Sequence, residues 1–253
     1  MEYLVFTLAA PMASFGTVAV GERRSGDVRP TKSQIVGLLA AALGIERTEN
    51  DRLDAIASGI GYAVRMDHPG TPGIDYHTAQ VPPTTRKRRY FTRAEEMAAP
   101  KWELETVLSR REFRTDVLAT VCVWLKGGGG PSLQSFVDAL RTPAFTLAAG
   151  RKAFPLMLPC RPEIIAVTTV FDALQNYDMV TRPGVRDLLE ARGMNTRDRG
   201  TPVRVYADAE AVLGATGSTH EHRQSRDVPV NRAKWQFDMR REVVVTWTEA
   251  PHG

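Results

Sequence analysis

Val117-Leu118-Ala119-Thr120-Val121-Cys122-Val123-Trp124-Leu125 is a near-continuous apolar run rich in β-branched side chains. It predicts a central strand. On its C-terminal side four glycines, 127–130, lead to Pro131, placed where a first helical residue is expected. Leu133, Phe136, Val137 and Leu140 then recur at i, i+3, i+4 and i+7, which predicts a helix with one apolar face. Residues 164–170 predict a further strand. On the N-terminal side, residues 104–112 predict a strand that pairs back with 74–80 as a projecting hairpin. Pro69, Pro72, Pro82, Pro83 and Pro100 interrupt regular structure across 68–103. Arg86-Lys87-Arg88-Arg89-Tyr90-Phe91 lies among them, in a stretch too long for an ordinary connection.

Further toward the N-terminus, Ile60, Tyr62 and Val64 alternate in a predicted strand, preceded by a short helix over 50–58. Thr31 and Gln34 have capping-box spacing, so the Thr oxygen can accept from the backbone N–H at 34 while the Gln side chain reaches back. Ile35, Val36, Leu38, Leu39 and Leu43 follow as an apolar helical face, and Gly44 suits the left-handed residue after it. Tyr3-Leu4-Val5-Phe6-Thr7-Leu8 predicts a buried first strand. The order is β-α-β, a basic excursion, then β-α-β. This predicts an α+β chain with a modified ferredoxin-like βαββαβ fold. One face of its antiparallel sheet is expected to cover helices and the other to meet a ligand. Residues 1–170 form the predicted main domain, with a thumb-like insertion at about 68–114. Residues 171–253 are a C-terminal extension containing strands at Val203–Tyr206 and Val243–Trp247, with a loop from Gly214 to Ser225.

The 253 residues are 43% hydrophobic and 25% charged, which excludes wholesale disorder and a collagen-like chain. Cys122 and Cys160 are the only cysteines, too few for a disulfide scaffold or an all-Cys zinc site. No apolar run is long enough to span a bilayer, and the first residues lack a secretion signal. A soluble cytoplasmic protein is the expectation. The formal net charge is +4, but its distribution is segregated. Residues 21–32, 82–114, 182–204 and 220–241 hold 25 of the 33 basic and 13 of the 29 acidic residues. That is a net of +12 against −8 for the rest, a pattern that favours a polyanionic partner.

Several stretches carry a family resemblance. They are Ala10-Pro11-Met12-Ala13-Ser14-Phe15-Gly16 after the first strand, and Arg29-Pro30-Thr31-Lys32-Ser33-Gln34-Ile35-Val36-Gly37-Leu38-Leu39 leading to Leu43-Gly44-Ile45. Asp75-Tyr76-His77-Thr78 is another. The last is the pair Arg111-Glu112-Phe113-Arg114-Thr115-Asp116 and Gly150-Arg151-Lys152-Ala153-Phe154-Pro155-Leu156. In this order and at these separations they resemble the CasD family, a subunit of the type I-E CRISPR surveillance complex Cascade. The resemblance spans about residues 3–160. Ala10 stands where many relatives have Gly, the 82–100 stretch is idiosyncratic, and Arg226-Asp227-Val228-Pro229-Val230 is the best match beyond Pro159. The resemblance implies an RNA-binding fold of the repeat-associated RAMP type, related to RNA-recognition modules. It implies a non-catalytic subunit, without a cofactor, that caps the 5′ handle of the CRISPR RNA. Its protein partners would be the backbone subunit and the large subunit.

Holding a short single-stranded RNA needs cations and N–H groups for phosphates, and flat side chains for splayed bases. Lys32, Ser33 and Gln34 open a helix whose N-terminus favours a phosphate; the plainer reading of Lys32 is a solvated first-turn residue. Ser14, Phe15 and Gly16 follow the first strand, where a glycine permits close backbone approach; the plainer reading of Phe15 is core packing. Arg111 and Phe113 share one strand face and Arg110 and Arg114 the other, so only some can meet one RNA. Gly150, Arg151 and Lys152 form a glycine-plus-cation turn. Arg86, Lys87, Arg88 and Arg89 form a cationic tip beside aromatics, expected to order on binding. The alternative function is a metal-independent endoribonuclease on repeat RNA, with Tyr76, His77 and Lys32 supplying acid–base chemistry. Adjacent strand residues face opposite sides, which counts against that pair. His220-Glu221-His222 reads as solvated loop rather than a metal site. The basic stretches within 182–241 have no assigned contact, whether RNA, target DNA reached through the complex, or protein.

Overall fold

The computed structural model describes residues 1–17, 21–83, 89–127, 129–177, 185–194, 202–211, 213, 220–231 and 236–247. In chain order the elements are β1 (Glu2–Ala13), β2 (Phe15–Gly16), β3 (Arg23–Arg24), β4 (Gly26–Asp27), α1 (Lys32–Ala42), α2 (Asn50–Gly59), β5 (Ile60–His68), β6 (Thr71–Val81), α3 (Arg93–Met97), β7 (Glu105–Leu125), α4 (Leu133–Arg141), β8 (Glu163–Ala166), α5 (Val170–Asn176), α6 (Val185–Ala191), β9 (Val203–Asp208), β10 (His220–Asn231) and β11 (Gln236–Trp247). The architecture is mixed α and β around a large antiparallel sheet. Among the described residues that sheet has nine strands, with the main path β10-β11-β9-β5-β7-β1-β8. Strand β7 lies between β1 and β5, and β1 lies between β7 and β8. Each helical crossover, β1 to β5 and β7 to β8, therefore skips one strand.

Local chemistry explains the elements. The Thr31/Gln34 capping box forms, with the Thr31 N–H donating to Gln34 Oε1 at 2.8 Å. At the other end Gly44 has φ +71°, and the Gly44 and Ile45 N–H groups donate to Ala41 O and Ala40 O. These two hydrogen bonds close the helix as its glycine predicts. Strand β7 runs for 21 residues. Its second half, 117–125, is sandwiched between β1 and β5, while its first half pairs with β6 from Thr71↔Thr115 to Val81↔Glu105. The two halves meet at Asp116, whose φ of +56° kinks the strand opposite the Pro69-Gly70 bend between β5 and β6. The result is a hairpin projecting from the main sheet.

Four expectations are corrected. The sheet offers no open ligand face over its centre. Leu4, Phe6, Leu8, Tyr62, Val64, Val121 and Val123 pack under α1, α2 and α4, while Tyr3, Val5, Ala63 and Cys122 pack under Phe171, Leu174 and Tyr177 on the other side. Strands apolar on both faces are the physical reason: water on either side would expose that surface. Pro131 is not the first helical residue; Ser132 is the N-cap, its hydroxyl accepting from the Ser135 N–H at 3.1 Å, and Pro131 precedes it. The strand expected over 164–170 ends at Ala166, because Thr169 and Asp172 form a capping box that starts α5 at Val170. Residues 220–225, expected as loop, are strand. Their backbone pairs with Arg240–Val245 at the outer edge of the sheet, where Glu221, His222 and Gln224 are exposed.

Candidate nucleic-acid interface

The β6–β7 register sorts the hairpin side chains. Tyr76 lies directly opposite Arg110 and Pro72 opposite Arg114, while His77 lies opposite Ser109 and Asp75 opposite Arg111. Tyr76, Ile74, Arg110, Glu112 and Arg114 thus share one face, and Asp75, His77, Arg111 and Phe113 share the other. On the first face the Arg110 guanidinium stands over the Tyr76 ring, 6.0 Å from its centroid. Tyr76 remains 58% exposed. Two arginines join from a distant part of the chain. Strand β3 pairs in parallel with β7 so that Arg23 aligns with Arg110 and Arg24 with Arg111. Sequence reasoning placed Arg23 and Arg24 in a basic block but not in the site; only their alignment with β7, some 87 residues on, reveals the four-arginine cluster.

Glu112 anchors that alignment. Its carboxylate accepts from Arg23 Nη2 at 2.7 Å and from the Gly26 N–H at 2.9 Å. The Gly26 N–H first, and then Arg23, hold its carboxyl below the usual carboxylate range. Below this link a cleft of about 240 Å3 opens between Phe15, Asp27, Ile74 and Arg114.

The base of the hairpin is where several expected site residues serve the fold. Phe15 is buried and cannot stack on a base, a correction to its expected role. Ser14 Oγ donates to Glu112 O at 3.1 Å, while Gly16 is exposed. Gly150 has φ +89°, and a Cβ there would lie 2.0 Å from Ser14 O, so the turn closes only with glycine. Arg151 bridges the hairpin to this turn: it pairs with Asp75 and donates to Glu112 O at 3.1 Å. Arg114 donates to Pro69 O at 2.5 Å and Gly70 O at 3.0 Å, bracing the bend. Arg111 and Lys152 stay exposed. Arg89 is exposed and sits near the Phe91 ring. Arg86, Lys87 and Arg88 lie outside the described residues. Toward the tip, Trp102 is 86% exposed, an aromatic that sequence reasoning passed over because no periodic element contains it.

Lys32 requires the largest correction. It is 8% exposed, and its Nζ donates to Asp208 Oδ2 at 3.1 Å. Its backbone N–H, the group expected to receive a phosphate, donates to Asp227 Oδ2 at 3.0 Å. The helix N-terminus is thus filled by a carboxylate of the chain itself. Ser33 bonds to Thr31, and Gln34 donates to Ser14 O at 3.3 Å. Burial pushes the Lys32 ammonium below its ordinary value, against the pull of Asp208. The acid–base trio of the alternative reading is not assembled either. Tyr76 and His77 point to opposite faces, and Lys32 is held by Asp208.

Lys32 belongs to a buried charge network. Arg240 donates to Asp208 at 2.7 Å, to Asp227 at 2.9 Å and to Glu242 at 2.9 Å. Glu242, fully buried, also accepts from Arg29 at 2.5 Å and Arg223 at 2.9 Å. Arg29 and Arg223 both lie over the Tyr206 ring, and Arg240 over Tyr62. Arg29, Lys32 and Asp227, all in the stretches that carry the family resemblance, meet here. Among the described residues no group of three His, Cys, Asp or Glu side chains is placed to hold a metal, and no helix is long and apolar enough to cross a membrane.

One large sheet with a projecting hairpin is the fold that solved CRISPR-associated proteins share. A solved chain described as a CRISPR RNA-guided surveillance complex is similar at TM-score 0.63 and 25% identity, over 96% of this chain and 90% of that one. A chain described as the crystal structure of a Cas protein shares the fold at TM-score 0.59 and 24% identity, over 99% and 100%. In sequence the chain is 30% identical over 181 residues to the CRISPR system Cascade subunit CasD of Escherichia coli (strain K12), covering 71% of this chain and 78% of that protein. The model of the CRISPR-associated protein (Cas_Cas5) family matches residues 3–243, and the chain belongs to that family. The match runs through β9 and β10 and into β11, well past the region where the sequence resemblance thins.

Proposed function

We propose that this chain is a non-catalytic RNA-binding subunit of a type I-E Cascade, which clamps and caps the 5′ handle of the CRISPR RNA. In this reading the strand order β8-β1-β7-β5, with its two split crossovers, is the modified ferredoxin-like frame, and β6 with the first half of β7 is the thumb. The carrying observation is the pairing of Tyr76 with Arg110 beside Arg23 and Arg24. It offers an exposed ring with Arg110 and the Glu112-held Arg23 on one face, and Arg111 with Arg24 aligned beside it on the adjoining strand. The ring face suits a splayed base and the arginines suit phosphates. The cleft beside Ile74 is large enough to take a base edge. The kinship to CasD, named as a Cascade subunit, supports membership of such a complex; the proposed neighbours are its backbone and large subunits, in the cytoplasm.

The test is binding and cleavage of labelled repeat RNA in EDTA. Binding that requires the handle sequence, without cleavage, is the expected result. Tyr76→Ala should weaken binding by about 1–3 kcal/mol, the value of one base stacked on an aromatic ring. Arg111→Glu should flatten the salt dependence by at least one phosphate contact while leaving the fold intact. Cleavage in EDTA that disappears with His77→Ala would overturn the reading in favour of a ribonuclease.

A further inference from the structure

We infer that Arg192, just past α6, is a positioning residue for the RNA-binding hairpin: it latches Asp116 in its left-handed conformation and so fixes the angle at which the hairpin leaves the sheet. This rests on the reading of the hairpin as the RNA-binding element. Arg192 belongs to the basic stretch 182–204, whose contacts the sequence leaves unassigned.

The pivot is a single residue. Strand β7 passes from the main sheet into the hairpin at Asp116, where φ is +56°. That conformation disfavours an L-residue by roughly tenfold against extended backbone, although aspartate tolerates it better than most. An extended residue at this position would straighten β7 and swing the hairpin. The kink persists because its surroundings over-determine it. Both polar groups of Asp116 are held. His68 Nδ1 donates to its carbonyl oxygen at 2.6 Å. Arg192 Nε donates to its Oδ1 at 2.8 Å, with Nη2 2.7 Å from the same oxygen. The first contact fixes the peptide plane after the Cα and the second fixes the side chain upon it.

The latch has a firm seat. Leu189 and Met194, on either side of Arg192, are fully buried and pack with Ala9 of β1 and Leu118 of β7. The Met194 N–H donates to Leu189 O at 2.9 Å, closing the turn that carries Arg192. Leu118 stands two residues past Asp116, so the turn is anchored on the sheet side of the pivot. The hairpin side is tied separately, by Arg151 to Asp75 and by Arg23 to Glu112. The Arg192–Asp116 pair is partly exposed, at 39% and 28%, and a pair of that kind shifts an equilibrium by up to about fivefold. This is the same order as the conformational preference it opposes. Removing it therefore moves a measurable share of molecules out of the kinked state, and RNA affinity falls with that share.

The experiment uses the full chain, free and with labelled repeat RNA. Spin labels at Ala79→Cys on β6 and Gln134→Cys on α4, both exposed, report the distance from hairpin to sheet; the native Cys122 and Cys160 are buried and stay unlabelled. Arg192→Ala should broaden the distance distribution and weaken handle binding about fivefold, with the urea midpoint of the main sheet unchanged. Arg192→Lys should restore most of the affinity. Asp116→Asn keeps the left-handed preference and drops the charge, so it should act in the same direction; the double change should be no worse than Arg192→Ala alone. An unchanged distance distribution in Arg192→Ala would overturn the inference, as would additive losses in the double variant. Tighter RNA binding by Asp116→Asn would also overturn it, because Arg192 would then be a phosphate contact that Asp116 restrains. Tyr76→Ala reports separately on the proposed function: RNA binding indifferent to Tyr76→Ala would sink that reading, while the distance measurement still decides the latch.

Discussion

Lys32 and Arg111 look alike in sequence, each a cation beside polar neighbours in a family-like stretch, and the structure gives them opposite roles. Arg111 is exposed and donates to Ser109 Oγ at 3.2 Å. Lys32 is buried against Asp208, with Asp227 at its backbone N–H. Charge reversal therefore has different consequences at the two sites. Lys32→Glu places a third carboxylate beside two buried ones and should cost about 3–5 kcal/mol of stability, read as a fall in the urea midpoint. Any loss of RNA in that variant would follow from unfolding. An unchanged midpoint would contradict the burial of its charge. The same residue-scale logic explains Phe15. An aromatic after a strand reads equally as a base platform or a core side chain, and only the pairing of β2 with β4 turns it inward.

At the scale of elements, the periodic segments were legible. The capping box, the glycine that ends α1, the apolar stripe of α4 and the apolar run of β7 each follow from local chemistry that needs no distant partner. The hairpin was legible for the same reason, as two strands flanking a proline-rich interruption. What local chemistry could not supply was the attachment of β3 to β7 through Glu112. That attachment is acid-sensitive. Folding lowers the Glu112 proton affinity, so its contribution to stability is full above the ordinary carboxylate value and is lost as pH falls through the depressed folded value. Hydrogen exchange of the Gly26 amide should therefore lose protection in acid before the main sheet does. Glu112→Gln should show the loosened state already at neutral pH; full protection in that variant would refute the link. At α4, Ser132→Ala should cost about 1 kcal/mol in thermal unfolding, the ordinary value of an N-cap.

Over the whole molecule the C-terminal strands extend the sheet from the β5 edge, and the buried network locks them there. Arg29 and Lys32 come from the N-terminal third, Tyr62 from β5, and Asp208, Arg223, Asp227, Arg240 and Glu242 from β9 to β11. Burying such pairs gains little net stability, because desolvation offsets the attraction. Its effect is selective: any other docking of β9–β11 leaves a buried charge without its counterpart. Glu242→Gln, which weakens the pairs to Arg29, Arg223 and Arg240 together, should cost about 3–5 kcal/mol in chemical denaturation, more than any single surface arginine change. A cost below about 1 kcal/mol would show that the network is not what positions these strands.

By itself the sequence determined the β-α-β, hairpin, β-α-β order of the first two thirds, the capped start and glycine-closed end of α1, the projecting hairpin and the segregation of charge, since each depends on residues within a turn or a strand of one another. It also determined the family resemblance that the comparisons bear out. The tertiary structure decided which cations are free. Arg29, Lys32, Arg114 and Arg151 turn inward to carboxylates or carbonyls, while Arg110 and Arg111 remain outward and gain Arg23 and Arg24 as neighbours. The physical reason is that a charge is spent or available according to what lies across the fold. Those partners, Asp208 for Lys32 and Glu242 for Arg29, stand 176 and 213 residues away.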